Sequence, residues 1–204
     1  MDQAKVSIIY YSSTGTTYRI AQAIAEGAEK AGALVTMKKV RELAPEEAIK
    51  SNEGWAQHRL ETQDVPEATP DDIVGADAVV FGSPTRYGNV AAQLKQFIDT
   101  LGPQWSQGLL ADKVYSGFTS ASTLHGGHET TLQAIYTTVH HFGGIVVAPG
   151  YTDPLKFADG NPYGTSFASG QGGEPDQATL DSAVYQGQRV AKIATALKNG
   201  LATA

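Results

Sequence analysis

Apolar residues run along this chain in two alternating rhythms. Residues 6–11, Val-Ser-Ile-Ile-Tyr-Tyr, form a β-rich run with little polar interruption, the pattern of a strand buried on both faces. Ile20, Ala23, Ile24, Gly27, Ala28 and Ala31 then recur at spacings of three and four, and Gly32 ends the run. That spacing predicts an amphipathic helix closed by glycine. Further strands are predicted over residues 34–40, 76–82, 113–119 and 144–148, and further helices over 90–101, 129–142 and about 176–199. Strands alternating with helices form right-handed βαβ units and a parallel sheet covered on both faces. Five strands in 204 residues predict a single α/β domain. Its five-stranded parallel sheet has the doubly wound order 2-1-3-4-5, with helices on both faces.

Two stretches break the alternation. Residues 41–72 carry twelve charged side chains in 32 positions and read as a solvent-facing insertion with a short helix near residues 45–50. Residues 151–175 are rich in Gly and Pro and predict a long irregular loop. Loops of this length in a compact domain usually serve function or assembly.

The turn after the first strand is Ser12-Ser13-Thr14-Gly15-Thr16-Thr17. Five of six residues carry hydroxyls, the sixth is glycine, and none is basic. Hydroxyls and backbone N–H groups at a helix N-terminus can hold a phosphate dianion, helped by the helix dipole. Simple N-capping uses one or two hydroxyls rather than five. No G-x-x-x-x-G-K-[ST] loop and no G-x-G-x-x-G after the first strand occur, which argues against a nucleoside triphosphatase and a Rossmann dehydrogenase. No G-x-S-x-G elbow marks a hydrolase.

Composition narrows the field further. Fifteen Lys and Arg against 21 Asp and Glu give a net charge of −6, with no broad positive field for nucleic acid. There is no cysteine, which removes disulfide, thiolate and iron–sulfur chemistry. The apolar run near the N-terminus has no basic region before it, and no segment reaches the ~20 apolar residues of a membrane helix. The expectation is a cytoplasmic protein. Of the five histidines, His125 and His128 are three apart and His140 and His141 are adjacent. Neither arrangement gives three or four converging ligands, so no metal site is expected.

A second motif, Gly82-Ser83-Pro84-Thr85-Arg86-Tyr87-Gly88-Asn89, together with the hydroxyl turn, resembles the WrbA-type NAD(P)H:quinone oxidoreductases, a flavodoxin-like family that uses FMN. The resemblance continues through residues 101–105 (Leu-Gly-Pro-Gln-Trp), 137–141 (Thr-Thr-Val-His-His), 162–164 (Pro-Tyr-Gly) and 185–187 (Tyr-Gln-Gly). Thr14 stands where the family usually carries an aromatic residue. The resemblance implies a flavodoxin-like domain in which residues 12–17 cradle the FMN phosphate. Pro84, Thr85, Arg86, Tyr87, Gly88 and Asn89 would meet one side of the flavin. Ser120, Ala121, Ser122, Thr123 and Gly126 would meet the other. It further implies that His140 is a flavin neighbour acting in catalysis and that Trp105 walls the substrate pocket, within a homotetramer. The implied reaction takes a hydride from NADH or NADPH onto FMN and passes two electrons to a quinone in the same pocket. A flavodoxin-like electron carrier without its own nicotinamide-dependent turnover is the alternative.

Overall fold

The computed structural model describes residues 3–170 and 173–201. Residues 1 and 2 of the N-terminal stretch, residues 171 and 172 of the second long loop, and residues 202–204 lie outside the described set.

The first apolar run becomes β1 (Lys5–Tyr10), followed by α1 (Thr16–Lys30) and β2 (Leu34–Lys39). After the first insertion come β3 (Ala78–Arg86), β4 (Asn89–Val90), α5 (Ala92–Asp99) and α6 (Gly102–Ser106). Then follow β5 (Val114–Ala121), α7 (His128–Phe142) and β6 (Ile145–Val146). The second long loop holds α8 (Leu155–Asp159) and β7 (Ser166–Ala168), and α9 (Gln177–Leu201) closes the fold.

The sheet path is β2-β1-β3-β5-β6, with parallel pairing throughout. The expectation of five strands needs correction. Among the described residues the sheet has seven, because β4 pairs antiparallel with β3 and β7 pairs parallel with β5. Two and three residues are too few to carry a readable hydrophobic period. β3 also runs four residues past its predicted end, through Pro84. β1 stops opposite Gly82, so the proline lies where no β1 ladder needs its missing donor.

Side chains alternate across the sheet and build two cores. Ile8, Val80 and Phe118 pack with Ile20 and Ile24 of α1 and Val190 of α9. Ile9, Phe81 and Tyr115 pack with Leu94 of α5 and Leu132 and Ile135 of α7. Two glycines let α1 and α9 touch backbone to backbone. A Cβ on Gly27 would lie 1.9 Å from Val184 O, and one on Gly187 would lie 2.0 Å from Ile24 O.

The charged insertion is more ordered than its composition suggests. It folds as α2 (Glu46–Lys50), α3 (Glu53–Glu61) and α4 (Pro70–Val74), and buries Ile49 and His58. One charge pins it. The Glu42 carboxylate accepts from Tyr11 Oη (2.9 Å), Trp55 Nε1 (3.1 Å) and Gln93 Nε2 (2.8 Å), and from the Leu43 and Ala44 N–H groups. Burial alone would raise the Glu42 pKa, but these donors outweigh it and hold the carboxyl below its ordinary value.

The second loop is tied down by a buried polar chain. Lys156, fully buried, ion-pairs with buried Asp159 and donates to Ser182 Oγ at 2.7 Å. Ser182 bonds Thr165 Oγ1 (3.2 Å), and the Thr165 N–H donates to Gln186 Oε1 (2.8 Å). Gln186 Nε2 then donates to Ser116 Oγ and Gly117 O on β5, both at 2.8 Å. At the opposite edge of the sheet, Lys198 Nζ of α9 reaches Gln3 O (3.1 Å) and Asp77 Oδ2 (3.0 Å). No helix among the described residues is long and apolar enough to cross a membrane.

Candidate functional site

The β1–α1 turn begins the site. Gly15 is the N-cap of α1, with φ +100° and no side-chain cap bond. L-residues with side chains avoid that conformation. The first N–H groups of a 15-residue helix therefore point out of the turn without a capping side chain. Ser12 Oγ accepts from Gly15 N at 3.1 Å, which folds the turn back on itself. Thr17 Oγ1 bonds Ser120 Oγ at 3.0 Å and so joins the turn to the end of β5.

A cavity of about 540 Å³ opens over this turn. Ser12, Ser13, Thr14, Thr16 and Thr17 line it from β1–α1, and Pro84, Thr85 and Arg86 from the end of β3. Ser120, Ala121 and Ser122 line it from the end of β5, Asn52 and Gly54 from the insertion, and Ser169 and Gly170 from beyond β7. Nine of these residues carry hydroxyls, Arg86 is the one cation, and none is a carboxylate. Hydroxyl donors at a helix N-terminus without acidic neighbours suit a phosphate monoester. The volume suits a mononucleotide-sized ligand. On these grounds the residues present fit FMN. A larger cavity, about 720 Å³, lies on the β2 side and shares Ser12. Lys39, Arg41, Lys50 and Arg59 line it together with Glu42, Glu46 and Glu67, and of the hydroxyl turn it takes only Ser12.

The remaining residues of the second motif support the site from outside the cavity lining. Tyr87 (φ +53°) and Gly88 (φ +75°) form the two-residue turn between the paired Arg86 and Asn89. Two consecutive positive φ values mark a type I′ hairpin. A tyrosine held there is strained, and its side chain is fully exposed beside the cavity's Arg86. Asn89 Oδ1 accepts from Val90 N at 2.9 Å. Thr85 Oγ1 bonds Thr131 Oγ1 of α7 at 2.6 Å. In the β5 loop, Gly126 N closes a turn on Thr123 O at 3.0 Å, so these two shape the loop rather than line the cavity. His128 starts α7 and its Nε2 meets Phe167 O at 3.2 Å.

Two expected site residues lie elsewhere. His140 is exposed on the last turn of α7, twelve residues from the helix start, about 18 Å along the axis from the end nearest the cavity. It does not meet this chain's own cavity, because helix length carries it to the opposite end of the strands. Trp105 on α6 is half exposed there too, and its Nε1 donates to His141 O at 2.8 Å. Sequence reasoning also missed Asn52, Gly54, Ser169 and Gly170. Asn52 caps α3 through Trp55 N at 3.0 Å, and an Asn three residues before an aromatic helix position was the available signal. Among the described residues no three His, Asp or Glu side chains gather as metal ligands.

Comparison with known proteins bears on this cavity. Residues 4–153 match the family model described as NADPH-dependent FMN reductase. An NAD(P)H dehydrogenase (quinone) of Deinococcus radiodurans is 50% identical over 169 residues, covering 82% of this chain and 84% of that protein. One from Sinorhizobium fredii is 43% identical over 203 residues, covering 95% and 98%. Among solved structures, a WrbA-like flavodoxin from Agrobacterium tumefaciens superposes with a TM-score of 0.67 at 27% identity, covering 95% of this chain and 98% of that one.

Proposed function

The chain belongs to the NADPH-dependent FMN reductase family, and from that premise we propose that the hydroxyl-lined cavity is the FMN site of a quinone-reducing enzyme. The protein is an FMN-dependent NAD(P)H dehydrogenase (quinone): its family model is that of an FMN reductase, and relatives at 41–50% identity over most of its length are named NAD(P)H dehydrogenase (quinone). The observation that carries the placement is the carboxylate-free cavity at the uncapped N-terminus of α1.

FMN, when bound, supplies the two-electron relay between the nicotinamide and the quinone. This chain's residues hold and shield it. Ser12, Ser13, Thr14, Thr16 and Thr17 bind the phosphate through hydroxyls and the first-turn N–H groups of α1. Gly15 sets the turn. Thr85 and the Tyr87–Gly88 hairpin fix the rim on one side, and Ser120 and Ser122 fix it on the other. Arg86 is the rim's cation. Pro84 and Ala121 give flat apolar edges.

Trp105, His140 and His141 sit together at the opposite edge, so they can serve a flavin only across an interface. A homotetramer, acting in the cytoplasm, would let this cluster close a neighbouring subunit's cavity. Light scattering at working concentration should return four chains. A monomer would remove Trp105 and His140 from the pocket.

The direct test is the visible spectrum and turnover of the purified protein. It should bind about one FMN per chain, bind FAD poorly, and reduce benzoquinone with NADH or NADPH. A protein that takes up no FMN from solution would end the reading.

A further inference from the structure

The phosphate turn contains no Lys or Arg, yet the ligand assigned to it is a dianion. We propose that His58, carried by α3 of the insertion, is the phosphate's titratable charge partner: it takes up a proton from solvent as the phosphate enters the turn. This rests on the FMN reading of the cavity.

The geometry comes from the way α3 packs on the turn. A Cβ on Gly15 would lie 3.5 Å from His58 Nδ1, so that ring nitrogen faces the Gly15 backbone. Gly54 of the same helix approaches Thr14, with 3.9 Å from its Cβ position to Thr14 Cγ2. Asn52 and Gly54 line the flavin cavity, whereas His58 lines the larger cavity beside it and meets the turn at Gly15. The imidazole is buried, and packs on Tyr18 with ring centroids 5.5 Å apart; Tyr18 packs in turn on Tyr10 at 5.7 Å.

The surrounding groups set its resting state. Burial lowers the His58 pKa, Glu61 on its own helix opposes this, and Lys39 of β2 and Arg19 of α1 add to the lowering. Tyr18 also faces it. On the larger cavity, which His58 also lines, are Arg41 and Glu42 after β2, Glu46 and Lys50 of α2, Arg59 of α3, and Glu67. Three of the nearby cations are already engaged. Arg19 pairs with Glu174 at 2.7 Å, Arg59 with Glu46 at 2.6 Å, and Lys39 donates to Thr62 O at 2.5 Å. Burial and these cations therefore favour the neutral form of His58 in the free protein, and the ring can gain charge when an anion arrives.

The sign follows from linkage. A phosphate bound beside the ring raises the His58 pKa, so binding takes up a proton. Affinity is then highest at low pH and falls as pH rises through the bound-state pKa. The phosphate's own second ionisation, at ~6, is present in both proteins, and the titration of the imidazole itself separates the ring's proton from it. Riboflavin lacks the phosphate and supplies the control.

The test is an NMR titration of the His58 imidazole in the free protein, with FMN, and with riboflavin. FMN should raise its pKa by about one unit, and riboflavin should leave it unchanged. In parallel, the FMN Kd of the native protein should rise more between pH 5.5 and 8.5 than that of His58→Phe, which keeps a ring against Tyr18, by a factor of up to about ten. A His58 pKa unmoved by FMN, or moved equally by riboflavin, overturns the proposal while leaving FMN binding intact. Absence of FMN binding at every pH would instead overturn the cavity's assignment.

Discussion

Replacing Lys156 by alanine is expected to cost about 3–5 kcal/mol of folding stability, because it leaves a buried carboxylate without its counter-charge. Asp159 is almost fully enclosed, and its Oδ1 already lacks a partner among the described residues. The substitution also removes the donor to Ser182, which is linked through Thr165 and Gln186 to β5. The flavin cavity feels this too, since Ser169 and Gly170 follow β7 into its lining. Removing both charges, Lys156→Met with Asp159→Leu, should recover most of the loss. Urea denaturation of the parent and the two variants checks it. A loss below about 1 kcal/mol for Lys156→Ala, typical of an exposed pair, would mean the pair is solvated.

Gly15→Val is expected to weaken FMN binding by at least about tenfold. The sequence alone suggests that a side chain here would block the phosphate. The structure gives another cause. The new Cβ would point toward His58 Nδ1 at an ordinary contact distance of 3.5 Å. The damage comes from φ +100°, which a β-branched residue leaves at a cost of about 1–2 kcal/mol. Once that angle relaxes, the first-turn N–H groups no longer share one aim. Gly32→Ala is the control. It also has positive φ, at +86°, with open space around it, and it should cost stability without touching flavin affinity. Fluorescence titration with FMN separates the two. Parental affinity in Gly15→Val would show that the turn does not hold the phosphate.

The parts of this fold legible in the sequence are those whose signal is local. The run of residues 6–11, the α1 stripe from Ile20 to Ala28 and the hydroxyl turn each declare themselves within a few residues. β4 and β7 do not, because pairing with β3 and β5 rather than any internal period makes them strands. The insertion misled for a related reason. Twelve charges suggested open solvent, yet Glu42 turns inward to gather five donors. His140 marks the clearest limit. Its motif was readable, but only the length and direction of α7 reveal which edge of the sheet it occupies. Tyr87 shows the same limit on a smaller scale: the residue was readable, whereas its left-handed backbone required the paired Arg86 and Asn89.

The meeting of Lys198 with Gln3 and Asp77 has a practical consequence. It places Gln3 and Lys198, near the two ends of the described residues, side by side at the start of the strands, with the full depth of the sheet between them and the flavin cavity. A short polar bridge could join those ends, and new termini could be opened at an exposed loop. Such a circular permutant would keep the β1–α1 turn covalently continuous. Surface immobilisation through the same edge would leave the cavity mouth facing solution.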